Sequence, residues 1–279
     1  MSKLIIQNPP IEYNSMITDL SNRDYHSFGG LSSTKFPLMR LSNRAFDMRN
    51  LFDFSKAVFN EGNLMHDCVL TPHLVEDGYV ESPTKGLDTI KAKQCIEDNP
   101  HRIVVGQGQM KYWQDLAPMI HLMFPFIKTN GTHTEVSFFH KDVDSGLTFQ
   151  VRPDIYNPTI GMLYDLKSTK ANNHKEFEKL IEEYDYDLSL AFYVDVLLLC
   201  GYENNLEYTG WLCVPKSAPH IPFVFKISEE LLEKGRNKYR TLLENYIEYK
   251  KLDENNLNVI YQDVANNVAH SWEYRKKNY

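Results

Sequence analysis

The chain is poor in the features that announce many enzymes. Its four cysteines, Cys68, Cys95, Cys200 and Cys213, are scattered along 279 residues. They form no C-x-x-C pair and no cluster, which argues against a zinc or iron–sulfur centre and reads as reduced thiols. There is no P-loop, hence no ATP-driven step of that kind, and no G-x-S-x-G elbow. No apolar stretch is long enough to cross a membrane; Val194 to Cys200 is far too short. The N-terminus has no signal-peptide pattern, so the simplest reading is a soluble, cytoplasmic protein. Positive charge is also in deficit: 30 Lys and Arg stand against 37 Asp and Glu, a formal net charge of −7. That balance weakens the case for a general polyanion binder, but leaves room for a local basic track or for metal ions.

With 42% hydrophobic residues the chain can bury a substantial core. No Pro/Gly/Ser-rich linker, repeat or composition shift divides it. We therefore expect one domain over 1–279: a mainly helical part at 1–130, a sheet and helix at 131–225, and a C-terminal helix and tail at 226–279. Ser228 before Glu229, Glu230 and Leu231 predicts a capped helix to about Lys250. Its bases Lys234, Arg236, Lys238 and Arg240 are nearly balanced by its acids. Arg40 and Arg44, one helical turn apart, are candidates to meet phosphates, whereas Arg275, Lys276 and Lys277 read as a solvated tail.

What the sequence does have is three acids at telling spacings. Glu135 and Asp154 flank the turn-like Asp142-Val143-Asp144-Ser145-Gly146, and Asp154 and Asp165 flank Asn157-Pro158-Thr159-Ile160-Gly161. Two successive hairpins centred there place the three carboxylates on neighbouring strands, with directly opposed side chains about 5 Å apart. Like charges so placed repel, and a bound cation relieves them. Alternation puts Glu135, Ser137, Gln150, Arg152, Asp154, Asp165 and Lys167 on one face. Val136, Phe138, Val151, Pro153, Ile155, Tyr164 and Leu166 fall on the other. A helix over His174–Cys200, apolar at Phe177, Leu180, Ile181, Tyr184, Leu188, Ala191 and Phe192, is expected to cover that apolar face. A helix over 56–70 would align Val58, Gly62, His66 and Val69 and turn the imidazole inward, as a ligand or as a buried histidine bonded to a carbonyl.

Arg152-Pro153-Asp154, ten residues, then Asp165-Leu166-Lys167-Ser168-Thr169 resembles the P-D…(D/E)-x-K signature of the PD-(D/E)XK nuclease superfamily. Its surroundings resemble the RecE-like branch, exodeoxyribonuclease VIII and its phage relatives. The further matches are Tyr25-His26 with Leu31-Ser32-Ser33-Thr34, Gly62-Asn63-Leu64-Met65-His66 with Leu70-Thr71-Pro72, Glu135-Val136-Ser137, and Tyr184-Asp185-Tyr186 through Ala191-Phe192-Tyr193. They run in order over about residues 25–200. The resemblance implies an α/β fold with a central mixed sheet flanked by helices and an N-terminal helical region.

For the site, the resemblance implies metal ligation by Asp154, Asp165, His66 and the Leu166 carbonyl. Lys167 would orient or deprotonate the attacking water, with Arg152 and the metal lowering its pKa, and Glu135 would be an accessory acid. Arg152, Ser168, Thr169, Ser189 and Tyr193 are the candidates for touching substrate. Relatives often carry Q-x-x-x-Y on the last helix; here Ser189 takes the Gln position, which puts that contact in doubt. Tyr193 is equally readable as a core aromatic.

The implied activity is Mg2+-dependent, with Mn2+ as a substitute: 5′→3′ digestion of linear duplex DNA that releases mononucleotides and leaves a 3′ single strand. The implied setting is a ring-shaped homo-oligomer acting with a single-strand annealing protein in a bacterial or phage-infected cell. Two alternatives stay open: a structure- or sequence-specific endonuclease on the same core, and a catalytically silent DNA-binding scaffold.

Overall fold

Turn chemistry sets the register of the middle of the chain. The Asp142 carboxylate accepts the Ser145 N–H at 2.8 Å ahead of Gly146, whose φ is 68°. The Asn157 side chain accepts the Thr159 N–H at 3.0 Å ahead of Gly161, whose φ is 65°. At Gly161 a Cβ would lie 2.7 Å from the Asn205 nitrogen, so close approach and positive φ both call for glycine.

The computed structural model describes residues 12–48 and 60–253. The first part holds α1 (Asn22–Ser27), α2 (Phe36–Leu41), α3 (Asn43–Asp47), α4 (Asn60–Leu70) and α5 (Val75–Gly78). There follow β1 (Tyr79–Glu81), α6 (Ile90–Asp98), β2 (Ile103–Val105) and α7 (Gln109–Met123). β1 and β2 pair in parallel, a small sheet the helical reading of 1–130 did not anticipate. Next come β3 (His133–Thr134), β4 (Phe138–Lys141), β5 (Thr148–Val151), β6 (Ile155–Asn157) and β7 (Met162–Thr169). The rest is α8 (His174–Tyr184), α9 (Tyr186–Leu199), β8 (Thr209–Pro215), β9 (Phe223–Lys226) and α10 (Glu229–Asp253). Among the described residues the main sheet has the order β3-β6-β7-β8-β9, with β7 and β8 parallel and the other neighbours antiparallel. β4 and β5 form a separate ribbon. This is the expected mixed sheet flanked by helices.

The hairpin register is as the turns implied. Thr134 faces Ile155 and Phe138 faces Val151, which sets Glu135 opposite Asp154; Ile155 faces Tyr164, which sets Asp154 opposite Asp165. The faces differ from expectation, because both strands of the first hairpin break, at Glu135–Ser137 and at Arg152–Asp154. Glu135 adopts φ 54°, and alternation does not carry across the break. Val136, Phe138 and Val151 join a core cluster with Leu188, Phe192 and Leu197 of α9. Ile155, Tyr164 and Leu166 instead join Leu64, Met65, Val69, Trp113 and Ile120 of α4 and α7. The segment after β7 therefore covers only part of the predicted face. Its main seat is the opposite side of the sheet, over Tyr156, Leu163, Trp211 and Cys213.

That segment is also two helices rather than one. Asn173 caps α8 by accepting the Glu176 N–H at 3.0 Å, while Glu176 accepts the Asn172 N–H at 2.8 Å. Asp185, with φ 52°, ends α8 before α9 begins.

Ser137 and Gln150 are fully buried rather than part of an open polar face. Residues 14–31 cover them: Ile17 bonds Ser137 through the backbone in both directions, and the Gly30 N–H donates to the Gln150 side chain at 2.9 Å. A Cβ on Gly30 would sit 2.6 Å from the Thr148 carbonyl oxygen, which explains the glycine at this crossing.

Candidate metal and catalytic site

β7 outlasts its neighbour on one side. It pairs with β6 only over Met162–Tyr164, but with β8 from Leu163 to Thr169. Beyond Tyr164 its β6-side edge has lost its partner strand, and Asp154, one residue before β6, turns its carboxylate into the gap. Its Oδ2 accepts the Leu166 N–H at 2.6 Å, so a side chain takes the missing strand's place. The N–H and C=O of one strand residue point to the same edge, so the Leu166 carbonyl faces this gap too. Glu135 bends the facing strand, and its N–H still reaches the Asp154 carbonyl at 3.2 Å. Its left-handed backbone costs roughly 1–2 kcal/mol at a non-glycine residue, spent where its carboxylate enters the cluster.

α4 delivers the fourth group. His66 Nδ1 lies 3.6 Å from Asp154 Oδ1. Gly62, one turn earlier, stands over Ser168, whose Oγ would be 3.9 Å from a Cβ there. One ligand atom each from His66, Glu135 and Asp154 lie within 4.8 Å of one another. Asp165 is opposite Asp154 but engaged otherwise, in an ion pair with Lys167. The Lys167 ammonium also lies 5.2 Å above the ring of Tyr186, a contact the sequence reading missed.

Burial and crowding set the protonation pattern. Glu135 is pushed up to about 7, first by burial and then by the Asp154 charge. Burial acts to raise Asp154 as well, but His66, Lys167 and the Leu166 N–H outweigh it and hold the carboxyl low. Burial acts to lower His66, yet Asp154 and Glu135 raise it to about 9. Asp165 is raised by burial, against the pull of Lys167. Lys167 is raised in spite of burial, because Asp165 and Asp154 hold it charged. This is the direction without a metal, and the Arg152 side chain is given to Glu135 rather than to Lys167.

The expected substrate contacts separate into groups. Arg152 Nε donates to Glu135 at 2.8 Å, its guanidinium lies 5.5 Å over the Tyr25 ring, and Nη1 is buried with no hydrogen-bond partner among the described residues. Tyr193 is half-buried and hydrogen-bonded with Ser33, close enough to Asp165 and Asp154 for their charges to raise its pKa further above the level set by burial. Ser189, half-buried, lies one turn before it. Ser168 and Thr169 point to opposite faces of β7, and Thr169 is spent on the turn, its hydroxyl accepting the Ala171 N–H at 3.0 Å.

The basic candidates farther away are structural. Arg40 lies in α2 and Arg44 in α3, and Arg40 pairs with Asp185 at 2.5 Å. Lys234, Arg236, Lys238 and Arg240 of α10 pair with Glu182, Asp195, Asp187 and Asp195. Val58 and the Arg275-Lys276-Lys277 tail lie outside the described residues.

An imidazole nitrogen and carboxylate oxygens gathered in one small volume suit a divalent cation of the magnesium or manganese kind. Burial and then the Asp154 charge push Glu135 up to about 7, and such an ion offsets both. Sheet order, the break in the hairpin and the Asp154…Asp165-x-Lys167 arrangement together define a PD-(D/E)XK fold. Residues 45–257 match the family model described as "PDDEXK-like domain of unknown function (DUF3799)", and the chain belongs to that family. A crystal structure from Eubacterium rectale, named "Putative exonuclease", is similar with a TM-score of 0.56 over 84% of this chain and 87% of that one. The two are 13% identical, so that likeness speaks to the fold alone. No curated protein matches the sequence. No described helix is long and apolar enough to cross a membrane.

Proposed function

We propose that the chain is a metal-dependent exodeoxyribonuclease of RecE-like type. It digests linear double-stranded DNA from 5′ to 3′ and leaves a 3′ single strand. The observation that carries this reading is the meeting of His66, Glu135 and Asp154 within 4.8 Å, beside the Asp165–Lys167 pair on the open edge of β7. His66, Glu135 and Asp154, with Asp165 and the Leu166 carbonyl alongside, would hold Mg2+, or Mn2+ in its place. When bound, such an ion offsets charge on phosphoryl oxygens and makes water acidic enough to attack.

The chain's own groups do the rest. Lys167, paired with Asp165, orients the attacking water and favours developing negative charge. Arg152 holds the Glu135 carboxylate in place beside the cluster. Tyr193 borders the site on the α9 side. Assembly as a homo-oligomeric ring around duplex, service to a single-strand annealing protein in recombination, and a cytoplasmic setting belong to the same reading.

Purified protein with Mg2+ or Mn2+ is expected to degrade linear duplex, 5′ ends first, and to spare covalently closed circles. Linear DNA left intact after long incubation with either ion overturns the enzyme. Cutting of closed circles overturns the exonuclease.

A further inference from the structure

A second feature leads away from the carboxylates. Tyr186, under the Lys167 ammonium, has its ring centroid 5.6 Å from that of Tyr184 at an interplanar angle of 35°. Tyr184 is a large aromatic left 49% exposed at the end of α8. The ammonium of Lys170, the residue immediately after β7, lies 5.6 Å from its ring. Two rings therefore lie between two cations, outward from the site as Lys167, Tyr186, Tyr184, Lys170. Beside the last of these is a cavity of about 310 Å³ lined by Lys170, Lys179, Leu180, Glu176 and Glu183 among others. Phe177 stacks on Tyr186 from the core side at 24°, so the inner ring is held while the outer one is open.

We propose that Tyr186, Tyr184 and Lys170 form a stacking track for an unpaired DNA strand at the carboxylate cluster, an inference that rests on the nuclease reading. The charge balance selects this occupant over duplex. Glu176 and Glu183 sit among Lys170 and Lys179, so phosphate attraction is largely cancelled and affinity has to come from ring faces. Only unpaired bases present faces to a ring, and any base will serve. A duplex keeps its bases stacked and offers mainly phosphates.

The test uses the full chain in chelator, so that nothing is cut, and a single-stranded oligonucleotide carrying 2-aminopurine. Stacking on tyrosine quenches the probe. Tyr184→Phe is expected to keep quenching and affinity, whereas Tyr184→Leu should lose both, with roughly tenfold weaker binding from one lost stacking partner. Binding should also depend only weakly on salt. Because Tyr184 is half exposed, the thermal midpoints of both variants should stay near that of the unaltered chain, which separates the effect from misfolding.

No oligonucleotide binding by the unaltered chain, or Tyr184→Leu binding like it, overturns the track even if linear duplex is digested with Mg2+. Conversely, Tyr184-dependent quenching in a protein that digests nothing leaves the track standing and removes the nuclease.

Discussion

Two buried groups of charge in this molecule use the same residue types to opposite ends. In the seam between α9 and α10, Asp195 accepts from Arg236 Nε at 2.9 Å and Nη2 at 2.7 Å, from the Tyr239 hydroxyl at 2.5 Å and from Arg240 at 3.0 Å. Donors there outnumber the acid they serve. At the open edge of β7 three acids share one volume, and the nearby cations do not settle them: Glu135 is pushed up to about 7 and Asp165 is raised as well. The seam is complete as folded protein. On the proposed reading a bound cation completes the β7 edge, and that difference distinguishes a strut from a site.

Single substitutions break the comparison most sharply. Lys167→Ala or Asp165→Ala should lower turnover by the folded fraction by 10³-fold or more on the scale of lost transition-state electrostatics, with the stability cost of the broken pair read separately in a urea melt. Asp195→Ala should do the reverse. It leaves the partly exposed Arg236 and Arg240 short of a carboxylate and the buried Tyr239 hydroxyl without its acceptor, a loss of about 1–3 kcal/mol in a urea melt, with turnover by the folded fraction nearly unchanged. If both kinds of variant lose stability alike and activity alike, the distinction fails.

Glu135→Gln sharpens it further. Removing one of two crowded carboxyls should leave the metal-free protein at least as stable above pH 7, yet weaken metal binding by about tenfold or more, as measured by calorimetry.

The pH dependence follows from the raised groups. His66 folds with a pKa of about 9 against an ordinary 6.5, so its contribution to metal-free stability is full below pH 6.5 and is lost as pH rises through 9. Glu135, raised from 4.5 to about 7, destabilises as pH climbs from 4.5 to 7, because the unfolded chain releases that proton first. Melts in chelator should therefore fall in stability across both windows, whereas metal affinity should rise as the same protons leave. A His66→Asn variant should lose the upper window and, with the imidazolium gone, move the Glu135 window to higher pH.

The smallest effect belongs to the surface. Lys234→Ala breaks an exposed pair with Glu182 and should cost under about 0.5 kcal/mol.

The legible part of the site was the part written in local chemistry. Asp142, Gly146, Asn157 and Gly161 fix two turns, and from these the pairing of Glu135, Asp154 and Asp165 follows by counting. Ser228 likewise marks the start of α10, accepting the Leu231 N–H at 3.2 Å. What stayed hidden depends on tertiary placement. Nothing local says that Glu135 will take a left-handed backbone and swap the faces of the hairpin. Nor does the spacing of Phe177 to Phe192 say that Asp185 divides their helix, since a helical stripe looks the same on either side of a one-residue break. The burial of Gln150 under Gly30, and the laying of Tyr186 beneath Lys167, join residues far apart in sequence. The surroundings of Lys167 were hidden for the same reason, since its ion pair with Asp165 and the commitment of Arg152 to Glu135 are both tertiary.

The most direct measurement is calorimetric titration of Mn2+ and Mg2+ into the unaltered protein and into Asp154→Asn, in two buffers of different ionisation enthalpy. The account predicts saturable binding to the unaltered chain with proton release near pH 7, as the ion displaces protons from His66 and Glu135, and its loss in the variant. No saturable heat for either ion, or equal binding by Asp154→Asn, would contradict it.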